Sequence, residues 1–344
     1  MKPTMVPRRG FLARLAAGAG TVGAAGCLGG FGGTKYTFTV SHAADSLAAL
    51  TEGFVETDPT EIHAQQAIDY SAEYKRSVVE TLLDQGTAEA VQWQLAYDRE
   101  FGTTTRPEPR FIVNDGTYHS VEETDRTEFT EDRWVFYLDL VDEKPGSGDT
   151  VVTEAPPSLS ETDQLLVRRA REAVTGHGSF YDVDDEPLQG RGPAFHHEMD
   201  PGASDLVPSA PFDYFRRGDQ YLVPRAERGP VDLTRYTFGI EEVASSRAEL
   251  EAHVESTVVD AVFDRPGLDT GAVDILRDVT GNGIGGVHSE SGQLSDGLAQ
   301  LADRLGMTPY IPENPGQYTS LTGARFSFDD RWWRGSLSIR STPF

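Results

Sequence analysis

Apolar positions recur at helical spacing in several parts of this 344-residue chain. From Ser71 to about Asp84 they recur three and four positions apart, and Gly86 follows, which predicts a helix that ends at the glycine. Ser160 opens a second helix, with Asp163 three positions further on as in a capping box. The same spacing predicts further helices over residues 43–55, 244–259, 269–279 and 295–305.

Short runs of aromatic and branched residues predict strands between these helices. The clearest runs cover residues 134–141, 236–243 and 332–339. Two more pairs of runs are joined by turn residues, at Asn114-Asp115-Gly116 and at Arg216–Asp219, and these predict antiparallel hairpins. Segments rich in proline, glycine and acid, at residues 142–158 and 184–211, predict linkers.

Parts of the sequence repeat. Residues 35–40 return as residues 235–240, and further matches occur at the same offset of 200 around residues 109–120. Tyrosines at 118, 221 and 318 give a period near one hundred, the size of a small domain. We therefore predict an α+β fold with three related units of about one hundred residues, each a helix, an antiparallel hairpin and a strand. The expected divisions are a signal peptide at 1–26, a lipid anchor and tether at 27–34, and units at 35–145, 146–243 and 244–344.

The first 27 residues have the order of an export signal. Arg8 and Arg9 precede a short, glycine-diluted apolar run that ends in small residues, which is typical of a signal peptide and too weak for a membrane span. The string Arg-Arg-Gly-Phe-Leu resembles the twin-arginine motif. The last residues, Ala-Ala-Gly-Cys, resemble a lipobox in which Cys27 receives a lipid. The alternative is that Cys27 is a small buried residue near the cleavage site.

Composition indicates the solvent. The chain has 55 Asp and Glu against 30 Lys and Arg, a net charge of −25, and the acidic residues are spread along its length. Concentrated salt screens such repulsion, with a Debye length of about 3 Å at 1 M. A negative surface excludes nucleic acid as an expected partner. Because Cys27 is the only Cys, neither an internal disulfide nor a Cys-based zinc site is possible.

Together, the segment from Arg8 to Cys27 and the acidic, Lys-poor composition resemble the lipoproteins that halophilic archaea export by the twin-arginine route. This resemblance implies a protein that is held by a lipid at the extracellular face of the cell membrane. A diacyl anchor supplies the two chains that stable attachment needs.

Candidate chemistry is concentrated in one segment. His196, His197 and Glu198, with Asp184 upstream, are side chains that can hold a metal ion. The alternative is a solvated acidic loop, because adjacent histidines point apart on a strand. The glycine-rich run at 281–286 lacks the lysine of a phosphate-binding loop, and a helix stop explains it better. No Gly-x-Ser-x-Gly motif is present.

Three functions follow as hypotheses. The pattern of repeats without a catalytic constellation favours a non-enzymatic surface protein that binds a partner or ligand and needs no cofactor. A metal-dependent hydrolase centred on His196, His197, Glu198 and Asp184 is a second hypothesis. A solute-binding lipoprotein of a transporter is a third, and it predicts two α/β lobes with a cleft between them.

Overall fold

The computed structural model describes most of the chain after its N-terminal segment. The described residues are 33–64, 68–96, 108–176, 179–180, 182–183, 185–263, 265–313 and 318–341. Arg8, Arg9, Cys27 and Asp184 lie outside the described residues. The fold is a mixture of helices and strands, with 28% helix and 40% strand.

Helices of four to fourteen residues cover both main sheets. The helices of the described residues are α1 Leu47–Glu52, α2 Ala72–Gln85, α3 Glu161–Ala173, α4 Leu188–Arg191, α5 Arg247–Thr257, α6 Thr270–Thr280 and α7 Asp296–Arg304. The strands are β1 Thr34–Ala44, β2 Val55–Glu56, β3 Thr87–Val91, β4 Phe111–Asn114, β5 Thr117–Val141, β6 Val151–Val152, β7 Thr175–Gly176, β8 Ser179–Phe180, β9 Tyr214–Arg217, β10 Gln220–Ala244, β11 Ala261–Phe263, β12 Gly285–Ser291, β13 Thr319–Phe328 and β14 Arg331–Ser341.

Two sheets dominate the structure. Sheet A has five strands in the order β11-β13-β14-β1-β12. Sheet B has seven, in the order β2-β4-β5-β10-β9-β6, with β3 also paired to β10. The pairs β2–β4, β11–β13 and β6–β9 are parallel, and the other described pairs are antiparallel. β7 and β8 form a separate two-stranded ribbon.

The helices begin and end for local reasons that the sequence indicates. The Ser71 hydroxyl accepts a hydrogen bond from the Tyr74 main-chain N–H at the start of α2, and Gly86, with φ of 77°, ends the helix. Ser160 caps α3 in the same way. These predicted helices are confirmed, as are α6 and α7 and the two hairpins, β4–β5 and β9–β10. The helix predicted from residue 43 begins later, at α1, because Ala43 and Ala44 belong to β1.

Each sheet buries one face against helices. In sheet A, Leu276 and Leu301 of α6 and α7 pack with Phe326 and Leu337. In sheet B, α3 packs on β5, and α2 packs on β3 around Leu82 and Trp93. Burying apolar surface contributes roughly 25 cal/mol per Å², so these contacts fix the helices to their strands.

The two sheets share one strand plan. By strand plan we mean the order and relative directions of five strands. The order in sheet A is β11-β13-β14-β1-β12, and the same order and directions occur in sheet B as β2-β4-β5-β10-β3. The register also matches: Phe38 lies opposite His288, and Phe238 lies opposite Ala88. The equivalent residues, Phe38 with Phe238 and Ala88 with His288, are therefore 200 positions apart in both strands. β1 therefore completes the sheet of the C-terminal half, and β10 completes the sheet of the N-terminal half.

The structure does not show three equivalent units. Apart from the short β7–β8 ribbon, the segment 146–243 forms no sheet of its own; it adds β6, β9 and β10 to the sheet that also holds β2 to β5. The tyrosines at 118 and 318 are not equivalent either. Tyr118 lies opposite Ala244 in sheet B, and Trp332 lies opposite Ala44 in sheet A. The residue equivalent to Tyr118 is therefore Trp332, which is 214 residues further on. The offset between equivalent residues thus rises from 200 at Ala88 and His288 to 214 at Tyr118 and Trp332. The extra helix α7 lies between His288 and Trp332 and accounts for part of this added length.

No helix among the described residues is both long and apolar enough to cross a membrane.

Candidate functional site

A cleft of about 570 Å³ lies where the first turns of α2 and α3 meet the segment from His196 to Ser204. We call it the His196 cleft. Its lining includes Tyr70, Ser71, Ser160, Asp163, His196 and Glu198. A second cavity of about 300 Å³ adjoins it and shares Tyr70 and His196. All of these residues belong to the half of the molecule that contains sheet B, so the cleft is not a gap between the two sheets.

His196 separates the two cavities and is nearly buried, with 9% of its surface exposed. Its Nδ1 atom is buried and has no hydrogen-bond partner among the described residues. Burial lowers the pKa of His196 from 6.5 to about 4, with smaller contributions from His197 and Arg133; Glu198 and a hydrogen bond with the Asp69 main chain act in the opposite direction. His196 is therefore a neutral imidazole at neutral pH.

Aromatic rings hold His196 in place. Its ring centroid lies 4.5 Å from that of Tyr70, and the Tyr70 ring stacks on Tyr74 at 4.5 Å. His197 contacts the same two tyrosines at 5.1 and 4.8 Å. Burial raises the pKa of Tyr74, and its hydroxyl oxygen accepts a hydrogen bond from the Val91 main chain at 3.2 Å. The cluster fixes the direction of both histidines.

An ion pair between the buried Lys75 and the half-buried Asp69 supports the wall behind Tyr70. The Lys75 ammonium, on a side chain 3% exposed, binds the Asp69 carboxylate and donates to the Thr60 carbonyl at 3.1 Å. Burial acts to raise the pKa of Asp69, but hydrogen bonds from Lys75, Ala64 and His63 lower it overall. Because Asp69 has these partners, its charge is compensated within the protein.

Glu198 links the His196 segment to α2. Its Oε2 accepts from the Ser71 main-chain N–H and its Oε1 from the Ser71 hydroxyl, both at 2.9 Å. A carboxylate at a helix N-terminus is favourable because the N–H groups there carry partial positive charge. Glu198 is in no ion pair among the described residues.

Asp163 is the most deeply buried carboxylate of the cleft, 1% exposed. Its Oδ1 accepts from the Ser204 hydroxyl at 2.6 Å and its Oδ2 from the Asp205 main chain at 3.0 Å. All of these partners are neutral donors, and within the described part of the chain no Lys, Arg or His pairs with it. The negative charge is compensated only by dipoles, including that of α3.

The predicted metal ligands are only partly brought together. His196 and His197 have ring centroids 6.4 Å apart, and Glu198 is bound to Ser71. Among the described residues no group of three or more His, Cys, Asp or Glu side chains is placed to hold a metal ion. Asp184, the fourth predicted ligand, lies outside the described residues, so the four-residue metal site stays a prediction.

Sequence reasoning found His196 but missed Tyr70 and Asp163. A signal for Asp163 was present, since it precedes Leu166 and Ala170 by three and seven positions and so shares the apolar face of α3. A charged residue on an apolar face points to a buried polar contact. No comparable signal marks Tyr70, because its histidine partners come from a segment over one hundred residues away.

The cleft is therefore lined by a neutral imidazole, by the Tyr70 ring and by four carboxylates, of which Asp69 is paired with Lys75 and Asp163, Glu198 and Asp200 are in no ion pair among the described residues. In comparisons with known proteins, no family model, curated protein or solved structure matches this chain.

Proposed function

We propose that this protein is a non-enzymatic binding protein that holds a small molecule in the His196 cleft. The observation that carries the proposal is His196, which lines the cleft and whose buried Nδ1 atom lacks a partner among the described residues. A buried acceptor without a partner costs about 1–3 kcal/mol, and a donor on a ligand recovers this energy. The cleft volume, about 570 Å³, is within the range of small-molecule sites.

The hydrogen bonds around the cleft favour binding over catalysis. A nucleophile must be within hydrogen-bond reach of its base. The Ser71 and Ser204 hydroxyls instead donate to Glu198 and Asp163. His196, with a pKa of about 4, is also too weak a base to take a proton from an alcohol at neutral pH.

We place this binding protein outside the cell, in high salt. Support comes from the twin-arginine string at Arg8 and Arg9, from the lipobox-like end at Cys27, and from the net charge of −25. The membrane is the partner of the lipid, and nucleic acid is not expected to bind.

The internal repeat supports a duplication of the first and third predicted units. Its basis is the strand plan shared by sheets A and B and the register offset of 200. The relation of the middle unit, residues 146–243, to the other two stays a prediction from sequence.

The anchor has its own test. Cys27→Ser removes the sulfur that would carry the lipid, so we expect the exported protein to move from the membrane fraction to the medium. A second variant, Ser46→Ala, changes no atom of the lipobox and should leave the protein in the membrane fraction. Continued membrane attachment of Cys27→Ser would contradict the lipid.

Binding is tested by thermal unfolding of the purified chain in about 1 M salt, with a panel of cationic, neutral and anionic metabolites. We expect at least one compound to raise Tm saturably, since a ligand at about 100 times its Kd stabilises by about 2.7 kcal/mol. His196→Phe keeps an aromatic ring beside Tyr70 but removes Nδ1, and should abolish the effect. The proposal fails when no compound stabilises the wild type, or when every stabilising compound acts equally on His196→Phe.

A further inference from the structure

We infer that the ligand of the His196 cleft is a small organic cation with N–H donors, in the class of primary amines and diamines. This inference rests on the proposed binding function and adds the chemical class. It is carried by the charge balance of the cleft together with the unpartnered Nδ1 of His196.

Asp163 places a buried negative charge in the lining of the cleft. Its carboxylate is 1% exposed and is compensated only by neutral donors and the first turn of α3. A buried charge is expensive unless a counter-charge lies close. An ammonium group in the adjacent cleft would supply that counter-charge.

The other charged side chains of the lining are also negative. Glu198 and Asp200 face the same cleft, and no Lys or Arg is among its lining residues in the described part of the chain. The adjoining cavity differs, because Arg133 lines it. An anion in the His196 cleft would therefore meet carboxylates and no Lys or Arg among the described lining residues, whereas a cation would meet opposite charges.

The hydrogen-bonding capacity points to the same class. The hydroxyls of Ser71 and Ser204 are used as donors to the carboxylates of the cleft. Nδ1 of neutral His196 is an acceptor without a partner in the described residues. An alkylammonium has three donors and no acceptor, so it satisfies these groups and leaves no group of its own unpaired.

Three probes of equal chain length separate charge from shape: 1,4-diaminobutane, 1,4-butanediol and succinate. Calorimetric titration of the full chain in about 1 M KCl, where the Debye length is about 3 Å, leaves short-range contacts in place while it screens the general surface charge. We expect the diamine to bind at least tenfold more tightly than the diol, and succinate not to bind.

Substitutions in and away from the cleft test which residues are responsible for diamine binding. Asp163→Asn is nearly isosteric and removes the buried charge, so we expect it to weaken diamine binding about tenfold. Asp274→Asn makes the same chemical change on α6, at a side chain 65% exposed, and should have no effect. Because Asp163→Asn also perturbs two hydrogen bonds, Thr162→Lys provides a second route: its ammonium at the cleft should abolish diamine binding without touching Asp163.

The outcomes are distinct. Preferential diamine binding that is lost in Thr162→Lys and in His196→Phe supports the inference. Binding of the diol or of succinate as tight as that of the diamine, still dependent on His196, overturns the amine class while the binding function stands. Absence of binding by all three probes also overturns the amine class, and the broader metabolite panel then decides the binding function separately.

Discussion

At the scale of single residues, His196 is the position where burial has the largest consequence. Most histidines titrate near pH 6.5, but this ring is buried against Tyr70 and the Asp69 main chain and has a pKa of about 4. The charged and titratable groups around it are Glu198, His197 and Arg133. The protein thereby keeps a neutral acceptor at the cleft over the whole neutral pH range.

This pKa makes stability depend on pH in a defined direction. The unfolded chain takes a proton at His196 below about pH 6.5, whereas the folded protein does not until about pH 4. The folded state therefore loses stability as pH falls through this window, by up to about 2 kcal/mol at pH 5. Denaturant unfolding at pH 7 and pH 5 measures the loss, and His196→Phe should show a loss smaller by about this amount. An equal loss in both proteins would show that the ring is not protected from protonation.

The sequence indicates His196 as a candidate metal ligand, whereas the proposed function uses it as a hydrogen-bond acceptor. Two adjacent histidines and a glutamate suggested a metal site, because those side chains are common ligands. The partners that set the actual environment come from distant positions: Tyr70 and Ser71 precede His196 by more than one hundred residues. Side-chain surroundings of this kind depend on tertiary packing, so local patterns cannot supply them.

At the scale of elements, the N-terminus of α2 has both a structural and a site function. Ser71 caps the helix and also donates to Glu198, which ties the His196 segment to the helix. Ser246 caps α5 by the same geometry, through the Glu249 main chain at 3.3 Å, but is not among the lining residues of the cleft. The two serines therefore form a matched pair.

We expect Ser71→Ala and Ser246→Ala each to cost about 1 kcal/mol of unfolding free energy, the typical value of an N-cap hydroxyl. Only Ser71→Ala should also weaken ligand binding, because it releases one oxygen of Glu198. Chemical denaturation and titration with the diamine measure the two effects. Equal effects of both variants on binding would contradict a role of the α2 terminus in the cleft.

Elements that carry their own start and stop residues could be predicted from sequence. α2 and α3 have serine caps and α2 ends at a glycine, and the hairpin turns contain Gly116 and Gly218. The full length of β5 and β10, 25 residues each, could not be predicted from the sequence. Their central parts carry charged residues and Pro230 rather than an alternating pattern, and only pairing with each other along most of their length makes them strands.

At the scale of the whole molecule, the two halves exchange a strand. β1 stands at the start of the described chain but lies between β14 and β12, and β10 lies between β5 and β3. The repeat of residues 35–40 at 235–240 could be read from the sequence. The exchange could not, because an offset between similar segments does not say which partner strands each one joins.

The exchange predicts where a core substitution acts. Phe38 and Phe238 are 1% and 0% exposed at equivalent positions, so we expect replacement of either by Ala to cost about 3–5 kcal/mol. Hydrogen exchange should then show lost protection in β12 and β14 for Phe38→Ala, and in β3 and β5 for Phe238→Ala. Loss of hydrogen-exchange protection in β3 and β5, rather than in β12 and β14, for Phe38→Ala would rule out the strand exchange.

The central claim is that His196 presents a free acceptor to a ligand in its cleft. Nitrogen NMR of the His196 side chain during titration with 1,4-diaminobutane observes this atom directly. We predict that the Nδ1 resonance changes saturably with the diamine, that the ring stays neutral at pH 7, and that succinate causes no change. An Nδ1 resonance that is unaffected by the diamine, by 1,4-butanediol and by every stabilising compound of the panel would contradict the claim.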